Sequence, residues 1–169
     1  PKRDAPERAR RGLNTPPGSL IERADSPAPV ISIMAYGPDA LAERESVAPE
    51  EIKKYLDTYP VTWIRVTGLG NAAIIQRIGA LFEIHDLALE DVMNESLRTK
   101  LDLYPQHLFI VAVLADFALQ LNARQVNIFM GKNYVLTVQS APTPWGSTIE
   151  QRIRNAQGQM RARKADYLT

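Results

Sequence analysis

Cysteine is absent from the 169 residues of this chain. That excludes disulfides and thiolate metal sites, and permits a reducing compartment. Histidine is scarce: His85 and His107 are the only two. No serine sits in a strand-to-helix elbow either, so nucleophilic catalysis lacks its parts and the chain reads as a non-enzyme. Long apolar runs are also missing. The best, Leu108 to Leu119, is broken by Asp116, whereas a membrane-spanning helix needs about twenty apolar residues. The basic N-terminus has no apolar segment behind it, so no secretory signal is read. Charge of one sign is not in excess, with 20 Lys plus Arg against 19 Asp plus Glu. This balance argues against a protein built mainly to hold nucleic acid. What is present is ordinary for one soluble, cytosolic globular domain: 45% hydrophobic and 23% charged residues.

Residues 1–29 carry six prolines and many charges and read as a solvated, disordered basic leader. "VISIMAY" (Val30–Tyr36) reads as a strand and "GPD" as a turn. "APEEIKKYLDTYP" reads as a short helix, with Pro49 in its first turn, Glu50 and Glu51 at its positive end and Pro60 past its close. "VTWIRVTG" alternates as a strand does, and "NAAIIQRIGALFEI" has helical periodicity with Asn71 as N-cap. "LALEDVMN" reads as another helix. Four strands follow: "TKLDLY", "HLFIVAVLADF", "RQVNIFM" and "YVLTVQ", the last two joined by a turn at Gly131 and Asn133. From Ser147, residues Ile149, Ile153, Ala156, Met160 and Tyr167 keep helical spacing, which predicts one long helix over 146–169 with no stop signal. The order predicts an α+β fold, a mixed sheet with helices packed on it, over 30–145.

Three motifs compete for a function. Gly68, Gly70 and Ala73 match G-x-G-x-x-A between a strand and a helix, as in a turn that admits a pyrophosphate. No second strand ends at the acidic residues Glu90 and Asp91, however, and a tight turn also explains the glycines. "QRIRNAQGQMRARK" could touch phosphates through Arg152, Arg154, Arg161, Arg163 and Lys164. It lacks aromatics for base stacking and reads better as the solvated face of a helix.

The third motif is "FEIHDLALEDVMNESLRTKLDLY" (82–104), with His85 and five carboxylates in its first fourteen residues. On a helical wheel Leu87, Ala88, Leu89, Val92 and Met93 take one side, and Asp86, Glu90, Asp91, Asn94 and Glu95 the other. His85 shares no face with Glu90, so this is not the H-E-x-x-H arrangement of a zinc hydrolase. The acids are either a hydrated helix face or oxygen ligands for a hard cation such as Mg²⁺. A convex face cannot enclose an ion, so a second surface would have to supply further acids.

This stretch, continued to "LFIVAVLADF", resembles the core signature of the cytoplasmic domain of CorA-type magnesium/cobalt transporters. His85, Leu87, Leu89, Glu90, Asp91, Lys100, Asp102 and Tyr104 match its pattern. "YGPDAL", "VTWIRVTGL", "QVNIFMGKNYVLTVQ" and "IRNAQGQMRARKADYL" resemble further family segments in order, from about residue 30 onward. The resemblance implies an α/β/α sandwich on the cytoplasmic face of a membrane homopentamer. It implies that residues 146–169 begin a long stalk helix, truncated here, that leads to transmembrane helices absent from this sequence. It implies regulatory Mg²⁺ (with Co²⁺ or another divalent ion as variants) bound between subunits, with Asp91 as main ligand and Glu90 as auxiliary. Asp86 departs from the family's usual Pro, and Ser96 stands where some members have a His ligand. A zinc-transporting relative of the same fold stays open as an alternative, as does a nucleotide-binding domain using the Gly68–Ala73 turn. Neither a nucleic acid nor a small-molecule substrate is expected as a partner.

Overall fold

A computed structural model describes residues 20, 23, 25–95, 98–116 and 122–168. Most of the predicted leader, and Ser96, lie outside the described residues. Seven strands form one sheet in the order β2-β1-β3-β7-β6-β5-β4. They are β1 (Val30–Tyr36), β2 (Leu41–Arg44), β3 (Val61–Thr67), β4 (Lys100–Leu103), β5 (Leu108–Asp116), β6 (Asn122–Met130) and β7 (Tyr134–Gln139). Every neighbouring pair is antiparallel except β3 with β7. The sheet is therefore mixed, as expected, and joins two antiparallel groups along one parallel seam. The sequence pattern did not mark β2: it has four residues, "LAER", with two charges and no buried position.

Helices α1 (Ile52–Thr58), α2 (Ala72–Leu81) and α3 (Asp86–Met93) pack on one face of the sheet. A 3-10 turn at Pro49–Glu51 opens α1, where Glu51 Oε2 accepts from the Ala48 N–H at 3.0 Å. At its far end Asn133 Nδ2 donates to the Leu56 carbonyl at 3.0 Å, so the β6–β7 turn caps α1. Asn71 caps α2 as predicted, its Oδ1 accepting from the Ile74 N–H at 3.2 Å. Ile52, Ile64, Ile75, Ile78, Leu89, Val92, Phe109, Phe129 and Leu136 are among the residues buried on this side. Phe109 and Phe129, paired across β5 and β6, stack with ring centroids 4.5 Å apart.

The other face carries α4 (Ser147–Arg154) over Met34, Tyr36, Val61, Trp63 and Val135. The predicted long helix over 146–169 is not one helix here. It closes at Arg154, because Ala156 and Gly158 take left-handed φ of 50° and 64°. Arg161 folds back and donates from Nε to the Ile153 carbonyl and from Nη2 to the Arg154 carbonyl, both at 2.7 Å. The last turn's carbonyls are thus satisfied by a side chain rather than by further helix. The apolar spacing that suggested a helix still serves burial: Met160, Ala165 and Leu168 return to the same cluster as Ile153.

Candidate functional site

Two glycines put α2 where it is. Gly68 has φ 105°, and a side chain there would come within 2.5 Å of the Pro27 carbonyl oxygen; one on Gly70 would reach within 2.1 Å of the Ser26 carbonyl oxygen. Leu69 N–H donates to Ser26 Oγ at 2.8 Å, Gly70 N–H to the Pro27 carbonyl at 2.9 Å, and Ser26 Oγ to the Ser140 carbonyl at 3.0 Å. The backbone approach that these glycines allow is therefore made by the chain's own residues 26–28. The amides of Gly68, Leu69 and Gly70 are already bonded, so the structure gives this turn a packing role.

The joint between α2 and α3 sets the acidic face. Glu83 takes φ 52° and the Ile84 N–H bonds back to the Gly79 carbonyl at 2.9 Å, which turns the chain sharply. Gly79 faces Leu89 so closely that a side chain there would come within 2.4 Å of Leu89 Cδ1. His85 then caps α3: its Nδ1 accepts from the Leu87 N–H at 3.1 Å. That nitrogen's lone pair is used in the cap. Ala88, Leu89, Val92 and Met93 are buried as the wheel predicts, but Leu87 is 55% exposed, because the first turn overhangs the core.

The carboxylates of the stretch scatter. Glu95 pairs with Arg23 at 2.5 Å and pins the end of the leader. Asp86 lies in the first turn of α3, exposed. Glu90 and Asp91 sit on the outward side of α3, both partly exposed. Asp91, with a side chain 44% exposed, receives Lys100 Nζ on Oδ2 at 2.6 Å, and the same Nζ lies 2.7 Å from Asp102 Oδ2. Lys100 and Asp102 alternate along β4 opposite Val111 and Phe109, which puts both on the α3 side of the sheet. These two carboxylates hold the Lys100 ammonium above its ordinary pKa, Asp102 more than Asp91.

Below this surface pair lies a buried polar chain. Gln125 Nε2 donates to the Asp91 carbonyl at 3.2 Å and to Asn127 Oδ1 at 2.9 Å, and Asn127 Nδ2 donates to the Val138 carbonyl at 3.3 Å. Gln125 and Asn127 are essentially fully buried. They fix the last turn of α3 to β6. Sequence reasoning missed this support; the only signal was the amides Gln125 and Asn127 two residues apart in a strand, and so on one face. His107, where the β4–β5 turn ends, is also buried, and neither ring nitrogen has a hydrogen-bond partner. Burial holds its pKa below 6.5. It packs edge-on to Phe129 and beside Tyr104, ring centroids 5.3 Å apart in each case.

Asp91 fits a hard divalent cation as one ligand of several. It is a carboxylate at the surface, and Mg²⁺ keeps waters and takes one or two carboxylates. Among the described residues, no group of three or more His, Cys, Asp or Glu could hold a metal ion.

A mixed sheet with helices on both faces defines the fold class, α+β. Solved relatives share the fold at low identity. The soluble domain of CorA from Methanocaldococcus jannaschii superposes with a TM-score of 0.54 at 13% identity, over 74% of this chain and 46% of that one. The ZntB cytoplasmic domain from Vibrio parahaemolyticus gives 0.57 at 9% identity, over 76% of this chain and 51% of that one. The family described as CorA-like Mg²⁺ transporter protein matches residues 60–167, and the chain belongs to it. A curated relative, the cobalt/magnesium transport protein CorA of Thermotoga maritima, is 32% identical over 167 residues, covering 95% of this chain and 46% of the relative. The chain thus spans about half the length of the relative it matches. No helix among the described residues is long and apolar enough to cross a membrane.

Proposed function

We propose that this chain forms the cytoplasmic domain of a divalent-cation transporter of the inner membrane, a homopentamer. In this reading it supplies, through Asp91 with Glu90 beside it, half of a regulatory Mg²⁺ or Co²⁺ site between subunits. The observation that carries the reading is the place of Asp91. Its carboxylate is half-exposed on the outward face of α3, and its backbone carbonyl accepts from the buried Gln125. The chain acts in transport rather than as an enzyme.

The chemistry is linkage. Carboxylates that face one another across a subunit boundary repel when uncompensated, at several kcal/mol if water is excluded and far less if not. A bound cation would neutralise them and favour the arrangement that brings them together. Asp91 then biases the gate only to the extent that the two arrangements differ in affinity for the ion. The Gln125–Asn127 chain keeps the helix end, and so Asp91, in register.

Membership of the CorA-like family and the 32% identity to a cobalt/magnesium transporter favour Mg²⁺ or Co²⁺ over zinc. The zinc reading has behind it only the shared fold of the ZntB domain. Calorimetry of Mg²⁺ on the pentameric transporter tests the proposal. Asp91→Ala is expected to remove most of the binding heat and to leave the gate open at high magnesium. Unchanged binding and gating in that variant would sink it.

A further inference from the structure

We propose that Lys100 is a built-in competitor for the divalent cation at Asp91. The inference rests on the reading of Asp91 as a cation ligand and adds what regulates it. The Lys100 ammonium bridges two carboxylates from different elements, Asp91 of α3 at 2.6 Å and Asp102 of β4 at 2.7 Å. Its place is built rather than incidental. The residue is fixed on the α3 side of the sheet by pairing with Val111, and Nζ lies 5.6 Å from the centre of the Phe109 ring, within cation–π range. The amine therefore already stands where a cation on Asp91 would be drawn.

An ion taking the same oxygen at about 2.1 Å would stand within about 5 Å of the ammonium, and the two positive charges would repel. Lys100 has somewhere to go. Asp102 is already bonded to it, so the amine can pass wholly to Asp102 without losing a carboxylate partner. The apparent affinity of Asp91 for a divalent ion is then the intrinsic affinity less the strength of the Lys100 pair. That lowers affinity without abolishing it, and keeps Asp91 compensated when no ion is bound. In the empty state the repulsion between subunits is weaker than bare carboxylates would give.

The test titrates the pentameric transporter with MgCl₂ at constant ionic strength, by calorimetry and by thermal unfolding. The wild type is compared with Lys100→Met, Lys100→Gln and Lys100→Arg, and Asp91→Asn is made alone and combined with Lys100→Met. Loss of the amine is expected to tighten Mg²⁺ about two- to fivefold, the scale of a half-exposed ion pair, and to enlarge the Mg²⁺-dependent rise in Tm. Lys100→Arg should behave as the wild type. Asp91→Asn should remove the response in both backgrounds. The two uncharged variants are run together so that a folding defect in one does not decide the outcome. An equal Mg²⁺ response with and without the amine, still lost in Asp91→Asn, overturns the competitor and leaves the ligand standing. A response that survives Asp91→Asn in both backgrounds overturns the reading of Asp91 itself. Absence of any response in the uncharged variants overturns the competitor.

Discussion

Helices α1 to α3 hold one face of the sheet with Ile52, Ile75, Ile78, Leu89, Val92 and Met93, all buried. Helix α4 reaches the other face with one fully buried side chain, Ile153, and carries three charges, Glu150, Arg152 and Arg154. Arg65 rises from β3 under α4, its guanidinium 5.2 Å from the Trp63 ring centre, and pairs with Glu150 and, at 3.9 Å, with Glu45. Arg154 meets Glu43 of β2 through Nε and Nη2, both at 2.8 Å, and Glu150 at 3.4 Å. An eight-residue helix is too short to stand alone in water, so what fastens it decides whether it is there. The first cover rests on area removed from water, which salt does not screen. The second depends in part on charge, which salt does screen.

The largest break in this contrast should come from Leu89→Ala. It opens a cavity against Gly79, and the expected loss is about 2–5 kcal/mol in chemical denaturation, unchanged by salt. A smaller loss, about 1–3 kcal/mol, is expected for Arg65→Met, since the mostly buried Glu150 carboxylate then loses its nearer cation and keeps only Arg154 at 3.4 Å. Hydrogen exchange should localise that loss to α4, and added salt should loosen α4 in the wild type but not α2 or α3. Uniform protection changes across both faces would remove the distinction.

The smallest effect at neutral pH belongs to His107, on the apolar side. Its folded pKa lies below its unfolded value of 6.5, so the unfolded chain binds the proton more readily. Stability is therefore full above that value and declines as pH falls through it. Urea titrations between pH 7.5 and 5 should show this decline in the wild type and a weaker one in His107→Phe, where an aromatic ring without a proton site replaces the imidazole.

The elements visible in the sequence were those whose side chains alternate or repeat: β1, β3, β4, β5, β6, β7 and the helices α1 to α3. Strand β2 escaped because it lies at an edge with no buried position. The long terminal helix was over-read because burial at 149, 153 and 160 imitates helical spacing even when the chain turns back at Ala156 and Gly158. The outward place of Asp91 was legible from the wheel. Its pairing with Lys100 was not, since nine residues and a change from helix to strand separate them and only the register of β4 on β5 brings the amine across. The glycines after β3 show the same limit. A pattern reports that backbone comes close, and only the fold says whose backbone it is.

The sheet ends on both sides in strands of four residues, β2 and β4. An open edge offers unpaired amides and carbonyls to any extended chain, and proteins guard against this with short edges and inward-turned charges. Lys100 and Asp102 are such charges. A stray strand adding to β4 would find only four residues to pair with, and would crowd an ion pair fastened to α3. The lysine that stands at the acidic helix therefore also helps to keep this sheet from growing into an aggregate.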